Sequence, residues 1–306
     1  MIPDALAVAL AGAVPDGVAR DVPAGDLGTY RIGGPVAVVV RVPDAAALAR
    51  VGAVLADAAD VPVLVVGRGS NLLVADRGFD GVGLVLTGDF EAVEVGVDRV
   101  RAGGAVALPV LARRAAAAGR TGLEFYVGIP GSVGGAVRMN AGGHGSETRD
   151  VLVSATVASI RGGPLRRLDG ADLGLTYRHS DLGSGDVVTE AEFVVTPDDP
   201  DACAARLDEI VRWRREHQPG GANGGSVFKN PPGDAAGRLI EAAGCKGLRV
   251  GGAVVSEKHA NFIQAEADAR ADDVHALVVA VRERVLAASG VLLEPELRLV
   301  GFDGAG

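Results

Sequence analysis

GIPGSVGGAVRMNAGGHG, residues 128–145, is the stretch on which the reading of this chain turns. It holds seven glycines in 18 residues, yet Ile129, Pro130, Val133, Val137 and Met139 make it too apolar and too stiff for a flexible linker. A segment of this length inside a compact domain serves a ligand rather than a plain connection. Glycine amides suit a diphosphate, and glycine backbone with aliphatic side chains suits a flat ring, so a flavin or a dinucleotide fits. A second glycine loop, GRGSNLL at residues 67–73, opens directly from the β-branched run Val63 to Val66. Gly67 and Gly69 allow backbone to approach a phosphate, and Ser70 and Asn71 add polar side chains there. Alanine at Gly69 is therefore expected to give a folded protein without its phosphate-bearing ligand. The loop is no Rossmann fingerprint, because the third glycine and the following helical pattern are missing. A Walker A loop is excluded as well, since no lysine precedes Lys229.

On either side of these loops the chain alternates helix and strand signals. The apolar stretch Ala5 to Val14 reads as a short surface helix, and Val36 to Val42 as a strand. Asp44 is a good N-cap for a helix through Ala58. A further strand is expected at Val82 to Leu86. From Val93 to about Val195 strand signals dominate, interrupted by a helix from Leu108 to Ala118. Pro197 to Pro200 is a natural boundary. Beyond it Leu207, Ile210 and Val211 mark one amphipathic helix, and Val274, Leu277, Val278, Val281 and Val285 mark another.

Composition narrows the function. The chain has 306 residues, 48% hydrophobic and 23% charged, enough for about two compact units or three small ones sharing a site. The formal charge of −9 and the absence of a basic stripe argue against nucleic acid. No run approaches the ~20 apolar residues of a membrane span. Asp4 and the late first arginine, Arg20, deprive the N-terminal helix of a signal peptide's basic flank. Cys203 and Cys245 match no metal or redox spacing, and His144, His179, His217 and His275 show no metal pairing, so no metal is expected. A reducing compartment, the cytoplasm, follows. Glycine is abundant, at 45 residues, whereas lysine is confined to Lys229, Lys246 and Lys258. Asparagine occurs only at 71, 140, 223, 230 and 261, in every case inside or beside a glycine-rich or lysine-containing segment.

With these segments in order, the chain resembles the UDP-N-acetylenolpyruvoylglucosamine reductase family. TYRIGGP (29–35) is similar to its entry motif, GRGSNLL and GIPGSVGGAVRMNAG to its FAD loops, and YRHSDL (177–182) to its active-site arginine strand. GSVFKNP (225–231), AGCKGLRVGGAVVSEKHANF (243–262) and LEPELRLVG (293–301) are similar to its substrate-domain motifs. Only 48 residues separate Arg178 from Ser226, which leaves no room for the insertion of type I members, so the resemblance is to type II. Gly28 stands where the family has Asn, and Cys245 where it has an aliphatic residue.

The resemblance implies an α+β fold: a two-part FAD-binding domain of the vanillyl-alcohol-oxidase/PCMH-like type and a C-terminal α+β substrate domain. The corresponding stretches are a lead-in at 1–25, the FAD domain at 26–197 (about 26–90 and 91–197), and the substrate domain at 198–306. It implies FAD as cofactor, NADPH as hydride donor, a UDP-sugar substrate and a monomer. Gly67, Gly69, Ser70, Asn71, Gly128, Ile129, Gly131, Ser132, Gly135 and Asn140 would hold FAD. Ser226, Arg178 and Glu296 would be catalytic, and Tyr177, Lys229, Asn230 and His259 would contact substrate; Arg214 or Arg215, read from charge and place at the end of the helix leading into GSVFKNP, is expected to hold the UDP diphosphate.

The chemistry suits these residue types. Hydride delivered to an enolpyruvyl ether leaves negative charge on the adjacent carbon and its carboxylate, which needs cations and donors aimed at it. Arg178 is a permanent planar cation. Ser226 could protonate the carbanionic carbon, with Lys229 either recharging it or binding an anionic group. Glu296, between Pro295 and Leu297, should be partly buried, and partial burial favours the protonated form of a carboxyl. Read from composition alone, Arg178 is a surface arginine in an arginine-rich chain and Ser226 a turn serine; the motifs reverse both. Two rivals remain. An oxidase of the same FAD class would leave GSVFKNP and LEPELRLVG unexplained, and a flavin-binding module without activity would be expected to have lost Ser226, Arg178 or Glu296.

Overall fold

The computed structural model describes residues 2–302. These form two compact units that are interleaved along the chain. Within the described residues the first comprises 2–21, 37–68 and 80–214, the second 22–36, 69–79 and 215–302. Consecutive stretches divided near 198 are expected from the sequence; the interleaving has a physical cause in the second unit. There Leu72–Val74 pairs in parallel with Arg298–Val300, and the amide of Thr29 donates to the Gly69 carbonyl at 3.3 Å. Two short N-terminal segments are thereby bound to the C-terminal part.

In the first unit, the helices Asp4–Ala13 and Ala45–Ala56 accompany a sheet containing Pro35–Val42, Phe79–Leu86 and Val63–Val65. The last two run parallel, as a crossover requires. Leu10, Val38, Val40, Val51, Leu55, Val82 and Leu84 fill the core between them. The Asp44 cap is present: its Oδ1 accepts the Ala47 amide at 2.7 Å. At the other end of that helix the Arg161 guanidinium donates to the carbonyls of Leu55, Ala58, Ala59 and Val61. A cation there complements the helix dipole.

A second layer of the same unit is a five-stranded antiparallel sheet built on Leu152–Ser159, Asp186–Val194 and Arg99–Gly103. One face packs on the helices Leu108–Ala117 and Pro200–His217, through Leu111, Ala115, Phe193, Cys203 and Leu207. The glycine-rich stretch 128–145 is not continuous loop, as its composition suggests. Val133–Met139 forms a short helix, capped by Ser132 and closed by Asn140 in a left-handed conformation at φ 40°.

The second unit packs the helices Ala236–Ala242 and Ala271–Ser289 on a small antiparallel sheet that includes Ala253–Val255 and Ile263–Ala265. The residues read from the 3.6-residue period, Val274, Leu277, Val278, Val281 and Val285, all lie in its core. Asp76 caps the longer helix by accepting from the amides of Ala271 at 3.2 Å and Asp272 at 3.0 Å and from Arg270 Nε at 3.3 Å. Burial pushes the Asp76 carboxyl up, but these donors outweigh it and hold it below the usual range. A depressed folded-state pKa stabilises above the unfolded value of about 3.9 and is lost as pH falls through the folded one. Asp76→Asn, which keeps an accepting oxygen but removes the charge, should therefore cost about 0.3 to 1 kcal/mol at neutral pH and show less acid destabilisation below pH 4 than the parent. Thermal melts across pH 2.5–7 check both.

Candidate active site

The two glycine loops meet in the first unit. A Cβ on Gly67 would lie 2.4 Å from Ser132 Oγ. Ser132 is buried and its hydroxyl accepts the Gly135 amide at 3.3 Å. The amides of Val133 and Gly134 donate to the carbonyls of Val106 and Gly104, and the Gly131 carbonyl accepts from Leu108. By contrast, the amides of Gly67, Arg68, Gly131 and Ser132 make none of the turn or ladder hydrogen bonds found among the described residues. Four amide donors without backbone partners, around glycines that keep side chains away, fit the phosphates of FAD. Gly128 ends a 3₁₀ turn, and Ile129, half-buried, packs on the core of this unit.

Two expected cofactor contacts read differently in three dimensions. Asn140 is fully buried, and its amide is consumed inside the protein: Nδ2 donates to Glu147 Oε2 at 3.0 Å and to the Thr176 carbonyl at 2.9 Å. Its Oδ1 accepts the Arg149 amide at 2.9 Å. In the second unit, Asn71 Nδ2 donates to the Glu296 carbonyl at 3.0 Å. Both side chains organise loops. Gly69 is also explained by the protein: it has φ 58°, and a Cβ would sit 2.0 Å from the Leu27 carbonyl oxygen. Gly69→Ala thus disturbs the turn at Leu27 and Gly28 and does not isolate the cofactor. Ser70 beside it is half-buried.

Gly135 is the cleaner probe. Its Cβ would meet only Ser132 Oγ at 3.4 Å, an ordinary contact, and alanine is favoured over glycine in a helix by about 1 kcal/mol. Gly135→Ala should fold at least as well as the parent and lose most of its FAD. Absorbance at 450 nm per mole of purified protein, beside a thermal melt, reads both.

Arg178 lies in a turn, not in the expected strand. Thr176 and His179 bridge through reciprocal backbone hydrogen bonds of 3.2 and 3.1 Å, which forces Arg178 to φ 55°. Its guanidinium is 5.0 Å from the ring centre of the exposed Tyr177, and Nη2 donates to the Gly142 carbonyl at 3.5 Å. Arg214, in the same unit, lays its guanidinium against Gly128, and burial holds its pKa below the usual arginine range. His144 meets the ring of Trp213 edge-on at 5.0 Å; burial and the charge of Arg214 both lower its pKa.

Ser226, Lys229, Asn230, His259 and Glu296 belong to the second unit. Ser226 follows Gly225, at φ 74°, whose amide donates to Asn223 Oδ1 at 2.9 Å. Thr29 Oγ1 donates to the Asn223 carbonyl at 2.7 Å, and Tyr30 packs so closely on Gly224 that a Cβ there would lie 2.5 Å from its ring. The entry motif TYRIGGP thus supports the serine loop, a role its sequence does not announce. The next residue, Val227, accepts the Glu296 amide at 2.8 Å, and the Lys229 amide donates to the Glu294 carbonyl at 2.9 Å. The backbone segments that carry Ser226 and Glu296 are therefore paired with each other. Lys229 Nζ pairs with the exposed Glu294 at 2.6 Å. Asn230 is exposed, and its Oδ1 accepts the Ala236 amide at 3.0 Å. His259 Nδ1 accepts the Asn261 amide at 3.2 Å, and burial pushes its pKa down. Among the described residues no group of His, Cys, Asp and Glu side chains is arranged to hold a metal.

Residues 36–169 match the family described as FAD binding domain, and residues 217–300 match the C-terminal domain of UDP-N-acetylenolpyruvoylglucosamine reductase. Together they define a flavin-dependent oxidoreductase with a reductase-type C-terminal domain. The reductase of Acidiphilium cryptum is 47% identical over 92% of this chain and 91% of its own length. That of Rhodopseudomonas palustris is 45% identical over 98% of both. The solved UDP-N-acetylenolpyruvylglucosamine reductase of Thermus caldophilus superposes with a TM-score of 0.80 at 37% identity, covering 92% of this chain and 98% of that one. The chain belongs to the UDP-N-acetylenolpyruvoylglucosamine reductase family, as the motifs imply. The expectations of an α+β FAD enzyme and of FAD as its cofactor are borne out with it.

Proposed function

We propose that this chain carries out the family's reaction with Ser226, Arg178 and Glu296 as its catalytic residues. The reaction reduces the enolpyruvyl ether of UDP-N-acetylglucosamine enolpyruvate to UDP-N-acetylmuramate at the expense of NADPH, a step of peptidoglycan precursor synthesis. The backbone amides of Gly67, Arg68, Gly131 and Ser132 would hold the phosphates of FAD, which when bound would supply hydride transfer from NADPH to the terminal carbon of the double bond. The residues supply the rest. Arg178 and Glu296 stabilise the negative charge that develops on the adjacent carbon and its carboxylate. Ser226 gives its hydroxyl proton to that carbon and is reprotonated from solvent, so that one hydride and one proton have added across the bond. Lys229, Tyr177, Asn230 and His259 contact the sugar nucleotide, and Arg214 its diphosphate.

The observation that supports this reading is the hydrogen bond from the Glu296 amide to the Val227 carbonyl, which pairs the backbone of the Glu296 segment with that of the segment following Ser226. Residues 26–197 act as the FAD-binding part and residues 198–306 as the substrate-binding part. The chain works as a cytoplasmic monomer on small molecules, without nucleic acid or membrane; the net charge of −9 supports the exclusion of nucleic acid. Among the described residues no helix is long and apolar enough to cross a membrane.

The test is colour. Holoprotein bleached anaerobically by NADPH should recover its yellow on addition of the enolpyruvyl sugar nucleotide, with one NADPH consumed per product. Re-oxidation by dioxygen alone, with no response to the sugar nucleotide, would make it an oxidase instead.

A further inference from the structure

The scarcity of asparagine has a structural counterpart. Asn261 is buried, at 4% exposure, and acts as a surrogate peptide group. Its Nδ2 donates to the Phe228 carbonyl at 2.9 Å and its Oδ1 accepts the Phe228 amide at 3.0 Å. Its own carbonyl accepts the Val227 amide at 2.9 Å. The segment that follows Ser226 is thus gripped on one side by Asn261 and on the other by Glu294 to Leu297. Asn71 holds Glu296 by a single side-chain bond, donating to its carbonyl, while the Asn71 backbone carbonyl accepts the Arg298 amide at 3.1 Å. In the first unit, Asn140 holds the Thr176 carbonyl at the base of the turn that carries Arg178.

We infer that Asn261, Asn71 and Asn140 are positioning residues, each fixing the backbone beside one of Ser226, Glu296 and Arg178. An amide side chain donates and accepts at once, so it can satisfy the N–H and C=O of one residue where no strand neighbour is available. Aspartate has no donor and serine is too short to span both groups. Leaving either buried group of Phe228 unpaired costs free energy that relaxation of the loop recovers only by moving it. Displacement of about 1 Å at a reacting group costs on the order of 10²-fold in rate. The inference rests on the catalytic reading of Ser226 given above.

Asn261→Asp is the sharpest variant: it keeps the shape and removes the donor to the Phe228 carbonyl. Asn261→Ala removes both bonds without burying a charge, and it reads the same outcomes where a buried carboxylate prevents folding. The holoenzyme variant should keep its FAD absorbance and bleach with NADPH within about threefold of the parent. Re-oxidation by the enolpyruvyl sugar nucleotide should slow by about 10- to 100-fold through kcat rather than KM. In a Ser226→Ala background the same substitution should have almost no further effect, because the group that it positions is gone. Equal losses in both half-reactions, or an undiminished effect in the Ser226→Ala background, would overturn the inference. So would parental re-oxidation by Asn261→Asp while Ser226→Ala is slow. Parental re-oxidation by Ser226→Ala alone would remove Ser226 from the mechanism and this inference with it.

Discussion

Ser226→Ala should separate the two half-reactions more cleanly than any other substitution in this chain. Bleaching by NADPH requires no proton from the serine, so it should proceed at close to the parental rate. Re-oxidation by the enolpyruvyl sugar nucleotide should fall by about 10² to 10⁴-fold, the usual cost of removing a positioned general acid, or roughly 3 to 5.5 kcal/mol of barrier. The fold should survive. Ser226 is only half-buried, and its loop is held by backbone bonds at Gly225, Val227 and Phe228 that do not involve the hydroxyl. Ser226→Cys should recover part of the lost rate, since a thiol is a better acid, although its larger sulfur displaces the proton. Stopped-flow traces of each half-reaction decide: equal losses in both would make Ser226 structural.

Much of the fold was legible because local chemistry and final structure agree. Asp44 caps the helix that it was expected to cap, and the β-branched runs at 36–42 and 63–66 became strands. The apolar period of residues 274–285 lies in the core. What failed did so for identifiable reasons. The stretch 128–145 conceals the helix Val133–Met139, because two of its residues are glycines of low helix propensity. Gly134 is nonetheless demanded there: a Cβ would press on the Gly104 and Val188 carbonyls at 3.1 and 3.2 Å. The turn at Arg178 was invisible, since a positive φ on arginine has no sequence signature. The interleaved units depend on pairing between residues more than 200 positions apart, at Leu72–Val74 and Arg298–Val300, which no local pattern records. As for the site, the reacting residues were legible through motifs, whereas their supports were not. Thr29, Tyr30 and Asn261 act through contacts with Asn223, Gly224 and Phe228. Only the rarity of asparagine pointed toward one of them.

Glu296→Gln should lower turnover far more than it weakens substrate binding. The residue is half-buried where the chain enters the strand Arg298–Val300, and its backbone is fixed from both sides, by Val227 and by Asn71. Glutamine keeps the size and the hydrogen-bonding plane, so this frame should be undisturbed. What it lacks is an acidic proton to share with the charge that develops beside Ser226. An interaction made mainly in the transition state appears in kcat and in kcat/KM equally, not in KM. Replacing that acidic proton by the weaker N–H donor of an amide should cost up to the roughly 10² to 10³-fold that complete loss of an oriented donor costs. Flavin reduction by NADPH should stay near normal, because that half-reaction places no such charge on the sugar nucleotide. The variant thus predicts a reduced enzyme that forms quickly, binds the enolpyruvyl substrate with a near-parental KM, and turns it over slowly. Should KM alone rise while kcat is kept, Glu296 is a binding residue, and stabilisation of the intermediate falls to Arg178.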